Sequence, residues 1–281
     1  MDVETVTSYR TARSRADLAL GPGEVYLAGG TWLMSEPQVG TTGFVDLTTM
    51  GWPDIEVTAH GLRIGATCTI ARLVAWSESA EVPAGWTAAS VIPDAANALL
   101  ASFKIWNTAT VGGNLGRAYS AGALVSYAAA LDGVAWIWRP DGTDRRMPVA
   151  DLMTGNGTHS LAHGEVVRAV ELPAAALRSR LILRKIALAE LGRSGAVVTG
   201  RVDEDGGAVF AVSAATLTPT VFRFEAVPDA ATLADAVAAA PDYYTDPLGS
   251  ADWRRGVSIV LAERIRGELA PPVTTASEAV A

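Results

Sequence analysis

The spacing of apolar and polar residues changes period several times along this chain, and each change predicts an element. In 13–20 (RSRADLAL) the apolar positions fall at helical spacing and the turn Gly21-Pro22-Gly23 follows, which predicts a short amphipathic helix. The apolar-rich run 24–28 predicts a strand that leads straight into Gly29-Gly30-Thr31, and 44–47 (FVDL) predicts the next one. Segments 55–58 (IEVT) and 62–66 (LRIGA) alternate with period two on either side of His60-Gly61, the pattern of a hairpin. Helices are predicted over 70–76 and 87–103, and a buried one over 116–131. Strands at 134–138 and 166–172 follow, with Asp141-Gly142 as a turn between them.

Pro173-Ala174-Ala175 marks a boundary, dividing the chain into 1–173 and 174–281. Beyond it, 180–189, 195–202 and 207–217 predict a three-stranded antiparallel sheet, its last two strands joined through 203–206. Helices at 229–240 and 252–269 close the chain, and the tail after Pro271 is expected to be disordered. The reading is α+β throughout.

Composition narrows the function. Hydrophobic residues make up 49% of 281, which excludes a disordered tether and leaves one large domain or two modest ones. The net charge of −8 and the lack of a basic stripe argue against a nucleic-acid partner. Cys68 is the single cysteine, so the chain forms no internal disulfide and cannot supply the four thiolates of an iron–sulfur cluster. The first 20 residues hold no apolar signal region. The uncharged run 118–131 falls short of the roughly 20 residues a membrane helix needs, so a cytoplasmic protein without membrane insertion is expected.

The informative motifs are Leu27-Ala28-Gly29-Gly30-Thr31 and Ala109-Thr110-Val111-Gly112-Gly113-Asn114. Paired glycines after a strand let the backbone reach positive φ and approach a ligand closely. Successive amides in such turns can converge on an anion, helped by a following helix N-terminus, with Thr31, Thr110 and Asn114 as further donors. Neither motif holds a Lys or Arg, the nearest being Arg117, so a phosphate here is expected to rest on amides and hydroxyls. Two such loops suit a pyrophosphate gripped from both sides; two plain tight turns suit the glycines equally well. A Rossmann fingerprint does not fit, because Gly112-Gly113-Asn114-Leu115-Gly116 lacks the required glycine spacing and Asp132 precedes the strand it should follow.

Other candidates are weaker. His159 and His163 have metal-ligand spacing only on a helix, and their Gly-rich surroundings read as a loop, so no metal site is expected. Cys68 sits in the apolar stretch ATCTI and reads as buried and inert. Trp32 and Trp106 flank the two motifs, where they can stack on a ring ligand or pack into the core. No Ser/His/Asp arrangement is visible, so no catalytic residue is assigned.

With both glycine motifs in hand, the chain resembles the FAD-binding medium subunit of the molybdenum hydroxylases, the xanthine dehydrogenase and carbon monoxide dehydrogenase type. AGGT at 28–31, FVDL at 44–47, LRIGATCTIARL at 62–73 and NTATVGGNLGRA at 107–118 carry the likeness, with the helix ending Ala130-Leu131-Asp132. TPTVFR at 218–223 and DWRRGVSIVLAERI at 252–265 extend it more weakly. The resemblance implies a PCMH-type fold, two α+β subdomains holding FAD and a C-terminal α+β domain. It also implies partners: a small subunit with [2Fe-2S] clusters and a large molybdopterin subunit, assembled as a dimer of heterotrimers. Electrons would pass from the clusters to the flavin and on to an external acceptor.

By the same resemblance, Leu27, Ala28, Gly29, Gly30, Thr31, Trp32, Leu33 and Met34 would wrap the pyrophosphate and ribityl chain, and Ala109, Thr110, Val111, Gly112, Gly113 and Asn114 would close the other side. Lys185 stands where the family often has a lysine near the flavin; on its residue type alone it reads as a surface lysine. The chain departs from the family at Trp32, at Trp106, and at Ser120 and Ala123, which stand in for a Pro and an Asp that holds FAD. These changes remove polar contacts, which keeps open a flavin-free scaffold subunit beside the electron-transfer reading. A self-contained flavin oxidase is a third alternative.

Overall fold

A small parallel sheet opens the structure, with β3 (Gly43–Asp46) between β1 (Ser8–Thr11) and β2 (Glu24–Leu27). The computed structural model describes residues 3–98, 103–189 and 192–270. The helix expected over 13–20 is one 3-10 turn, Arg15–Leu18, because Asp17 accepts the amides of Arg13 and Ser14 and draws the chain into a tight cap.

The second layer begins with the expected hairpin, β4 (Ile55–Thr58) and β5 (Gly61–Gly65). Helices α1 (Ile70–Ser77), α2 (Ile92–Ala98), α3 (Phe103–Trp106), α4 (Val111–Arg117) and α5 (Ala123–Ala130) follow. Of the helix expected over 87–103, 87–91 is a 3-10 turn and 99–102 lie outside the described residues. Every residue of α5 is buried, as its unbroken apolar composition demands. The single helix expected over 116–131 is divided: Ala118 takes a left-handed conformation that ends α4, and α5 starts only after Gly122.

Then come β6 (Val134–Trp138), β7 (Asp144–Pro148), α6 (Val149–Leu152), the two-stranded hairpin β8 (Met153–Gly155) and β9 (Thr158–His159), and β10 (Val166–Pro173). Strand β10 is the centre of a five-stranded antiparallel sheet ordered β4-β5-β10-β6-β7. Its register shifts at Arg168, whose buried guanidinium lies 4.7 Å from the Trp52 ring and 5.7 Å from that of Trp138. Burial lowers the pKa of Arg168 against the pull of the nearby Glu56, and the tryptophan faces, rather than a close ion pair, receive its charge.

After α7 (Ala174–Arg178), β11 (Arg180–Ile186), β12 (Ala196–Val202), β13 (Ala208–Ser213) and β14 (Thr220–Phe224) form an antiparallel sheet covered by α8 (Ala230–Ala238) and α9 (Ala251–Leu269). The sheet has four strands, not the expected three. Ala214 has φ of 61° and ends β13, and the chain returns as β14 with Ala208 opposite Phe224. One hydrophobic core gathers residues from Ala12 to Ala214; a second, around Phe210, Leu233 and Ile265, lies under α8 and α9. The tail after Ala270 lies outside the described residues, and no helix among those described is long and apolar enough to cross a membrane.

Two polar joints tie the C-terminal region to the segments flanking α5. Arg201, 2% exposed, pairs with Asp132 and Asp203, and Arg223 also reaches Asp132. Ser120 shares a 2.8 Å hydrogen bond with Tyr244, whose ring carries the buried Arg254 guanidinium at 3.9 Å. Ser120, one of the departures from the family pattern, is therefore a fastening between segments.

Candidate functional site

A cavity of about 410 Å³ opens between the parallel sheet and the start of β10. One wall is the turn after β2, from Ala28 to Leu33; a second is the glycine side of α4; the third is the chain from His159 to Val167. Leu47, Leu161 and Val167 give it apolar lining, which suits the flat ring of a cofactor.

The two glycine motifs do different work. In the first, no protein acceptor is present among the described residues for the amides of Gly29 through Leu33, and Gly30 has φ of 67°. These N–H groups are thus open to a ligand or to water. In the second, the amides from Val111 to Asn114 are engaged: Val111 donates to the carbonyl of Cys68 at 2.9 Å, Gly112 to Ala66 at 2.8 Å, Gly113 to the Thr110 hydroxyl at 3.1 Å and Asn114 to Thr110 at 2.9 Å. The motif is the first turn of α4 capped by Thr110, and not a loop. Its glycines serve close packing, since a Cβ on Gly112 would lie 2.5 Å from that of Ala66. The two motifs also touch, because a Cβ on Gly29 would stand 1.9 Å from the carbonyl oxygen of Thr108.

Of the residues assigned from the sequence, Ala28, Gly29, Gly30, Thr31, Trp32, Leu33, Gly112 and Gly113 line the cavity together. Leu27 lies buried beneath the turn, and the amide of Met34 closes it by donating to Gly30 at 2.8 Å. Ala109, Thr110 and Val111 are buried behind the wall. Asn114 faces away: its side-chain oxygen accepts the amide of Leu124 at 3.1 Å and so caps α5. Ala123 is buried in the first turn of α5. Lys185 lies on β11 with its ammonium on the carbonyl of Asn97 at 2.8 Å, and it does not line the cavity. Trp106 packs against the core, whereas Trp32 stands in the wall.

Several lining residues escape a sequence reading. Arg117, at the end of α4, stacks its guanidinium 4.0 Å from the ring centre of Trp32 and 4.1 Å from that of Tyr119. It donates to the carbonyl of Gly157 at 3.2 Å and to the Tyr119 hydroxyl at 2.8 Å, but among the described residues it meets no carboxylate. The seven residues of α4 thus bring a cation into a cavity where the sequence led one to expect only amides and hydroxyls. Arg117 Nε and Trp32 Nε1 are both buried without a partner.

The two carboxylates in the wall are neutralised. Glu24 forms a two-pronged pair with Arg10 at 3.0 and 2.8 Å, and this bond, with the amide of Gly21, pulls its pKa down to about 2. Burial works against ionisation of Glu165, yet its hydrogen bond from Arg145, the amide of Ala162 and the nearby Arg139 outweigh that and lower its pKa. Tyr26, raised to about 12 by burial, keeps its proton and shares it between the carbonyls of Leu18 and Gly164, clipping the third wall to the first. His159 and His163 are exposed at the rim, and no group of three metal-ligating side chains occurs among the described residues. The 159–167 wall carries no motif of its own; only pairing of β10 with β5 and β6 brings it here.

Residues 5–175 match the family described as FAD binding domain in molybdopterin dehydrogenase. Among curated proteins none matches the chain. Solved structures share its fold. Quinoline 2-oxidoreductase from Pseudomonas putida 86 matches with a TM-score of 0.77 at 22% identity, over 93% of this chain and 96% of that one. Carbon monoxide dehydrogenase from Hydrogenophaga pseudoflava gives 0.79 at 18%, over 94% and 97%. Reconstituted CO dehydrogenase from Oligotropha carboxidovorans gives 0.78 at 19%, over 94% and 98%.

Proposed function

The chain belongs to the FAD-binding domain family of molybdopterin dehydrogenases, and on that premise we propose that it is the electron-transferring flavin subunit of a cytoplasmic molybdenum hydroxylase complex. The residues of the cavity fit the cofactor. FAD has a dianionic pyrophosphate and a flat apolar ring, and the cavity offers both open amides with an uncompensated guanidinium and an apolar lining. The buried, unpartnered Trp32 Nε1 and Arg117 Nε are donors in want of an acceptor.

When bound, FAD supplies the redox chemistry, taking and passing on electrons singly or in pairs. The protein's part is to bind and orient. The amides of 29–33 hold the anionic stretch, the Tyr26 clip fixes the third wall, and Arg10, Arg139 and Arg145 cancel the wall carboxylates so that they do not repel an anion. No side chain is needed as an acid or base.

The electron donor is a small subunit carrying [2Fe-2S] clusters, itself fed by a large molybdopterin subunit, in a dimer of heterotrimers. Residues 1–173 carry the flavin, and 174–281 form a companion domain that leans on the segments flanking α5, Arg201 on Asp132 and Tyr244 on Ser120. The open amide turn facing Arg117 across one cavity is the observation that carries the proposal. The test is isolation of the tagged chain from its native cells with metal and flavin analysis. Co-isolation with molybdenum, iron–sulfur signals and FAD that reductant reaches through the clusters is expected. A chain that elutes alone and oxidises a small molecule unaided contradicts it.

A further inference from the structure

We propose that Arg117 is the charge-bearing anchor of the cofactor's pyrophosphate, adding a guanidinium to the amides of the 29–33 turn. This rests on the reading of the cavity as a FAD site and adds to it which groups hold the phosphates. Four observations converge. In the second motif, the amides from Val111 to Asn114 are already bonded within the protein. Those of Gly29 to Leu33 are not, among the described residues. Arg117 is the cationic side chain in the lining that meets no carboxylate, while Glu24 and Glu165 of the same lining have arginines of their own.

The fourth observation is how Arg117 is held. Trp32 follows the open turn directly, and Tyr119 lies beyond the end of α4; their rings stand at 4.0 and 4.1 Å from the guanidinium. Gly157 fixes one terminal nitrogen at 3.2 Å and Tyr119 the other at 2.8 Å, which leaves Nε buried and unsatisfied. Aromatic faces attract a cation without neutralising it, so the charge stays available to an anion. A planar guanidinium is also suited to phosphate oxygens in a way that an ammonium is not. Trp32 thus has a definite part in the site: it positions Arg117 beside the open amides.

The experiment compares the affinity of the apo chain for FAD and for riboflavin, which lacks phosphate, by flavin fluorescence at low and high salt. In the unaltered chain, the FAD dissociation constant rises with salt and that of riboflavin does not. Arg117→Gln weakens FAD by about 10- to 100-fold and riboflavin by less than about 3-fold, and Arg117→Lys falls between for FAD. Equal loss for both flavins, an unchanged FAD affinity in R117Q, or salt-independent FAD binding by the unaltered chain overturns the assignment; the last needs no variant to fold. An unaltered chain that binds neither flavin contradicts instead the FAD reading itself.

Discussion

Gly29 faces the backbone of Thr108 so closely that a methyl group on its α-carbon would lie 1.9 Å from the Thr108 carbonyl oxygen. The contact is between backbones, so no side-chain rotation relieves it. Gly29→Ala is expected to lower stability by about 1–3 kcal/mol, as overpacking does. Because the displaced turn carries the open amides, FAD binding should fall with it. Denaturant titration and flavin titration of the same preparation check both effects.

Gly116 presents the opposite case. It lies in α4, lines the cavity, and has open space where its Cβ would be. Gly116→Ala should raise apo stability by about 0.5–1 kcal/mol, the usual gain of replacing a helical glycine, and weaken FAD by filling part of its space. A variant that is more stable and binds FAD as well as the unaltered chain contradicts the placement of the ligand against this wall.

Asn114 acts on α5 and not on the cavity. Asn114→Ala removes the acceptor of the Leu124 amide and should cost about 1 kcal/mol. Asn114→Asp keeps the acceptor and should recover most of it, as thermal melting of the pair will show.

The Arg10–Glu24 pair predicts an acid-side dependence. The folded pKa of Glu24, about 2, lies below its ordinary 4.5, so the pair's contribution is fully present above pH 4.5 and is lost as pH falls from there through about 2. Glu24→Gln should therefore lose less stability than the unaltered chain between pH 5 and pH 2.5, by urea midpoint. The same slope in both proteins counts against the pair.

Asp132 binds two arginines, one of them buried, at the joint between α5 and the C-terminal sheet. It has φ of 54°, a conformation asparagine tolerates, so Asp132→Asn tests charge without strain. A loss of about 2 kcal/mol is expected from the weakened charged hydrogen bonds, read from denaturant midpoints.

Local pattern carried much of this fold. The alternation in 55–58 and 62–66 gives the β4–β5 hairpin, and the unbroken apolar run gives the buried α5. The glycine motifs led to two walls of the cavity because a residue without a side chain marks close approach. What pattern could not show is which amides are free. Gly112 and Gly30 read alike in sequence, yet the first donates to Ala66 from across the fold and the second has no such neighbour. The division of 116–131 at Ala118 and the fourth strand after Ala214 turn on left-handed alanines, which composition does not announce. Nor does the sequence bring Arg117 to Trp32, 85 positions away, since that contact exists only once the walls have met.

The most direct measurement is the visible absorption spectrum of the purified chain, before and after incubation with FAD, followed by release and identification of the bound flavin. Stoichiometric FAD, on a chain whose cavity holds the open turn of Gly29 to Leu33, is the predicted result. A folded chain that takes up no flavin from excess FAD would contradict the account and leave a scaffold subunit in its place.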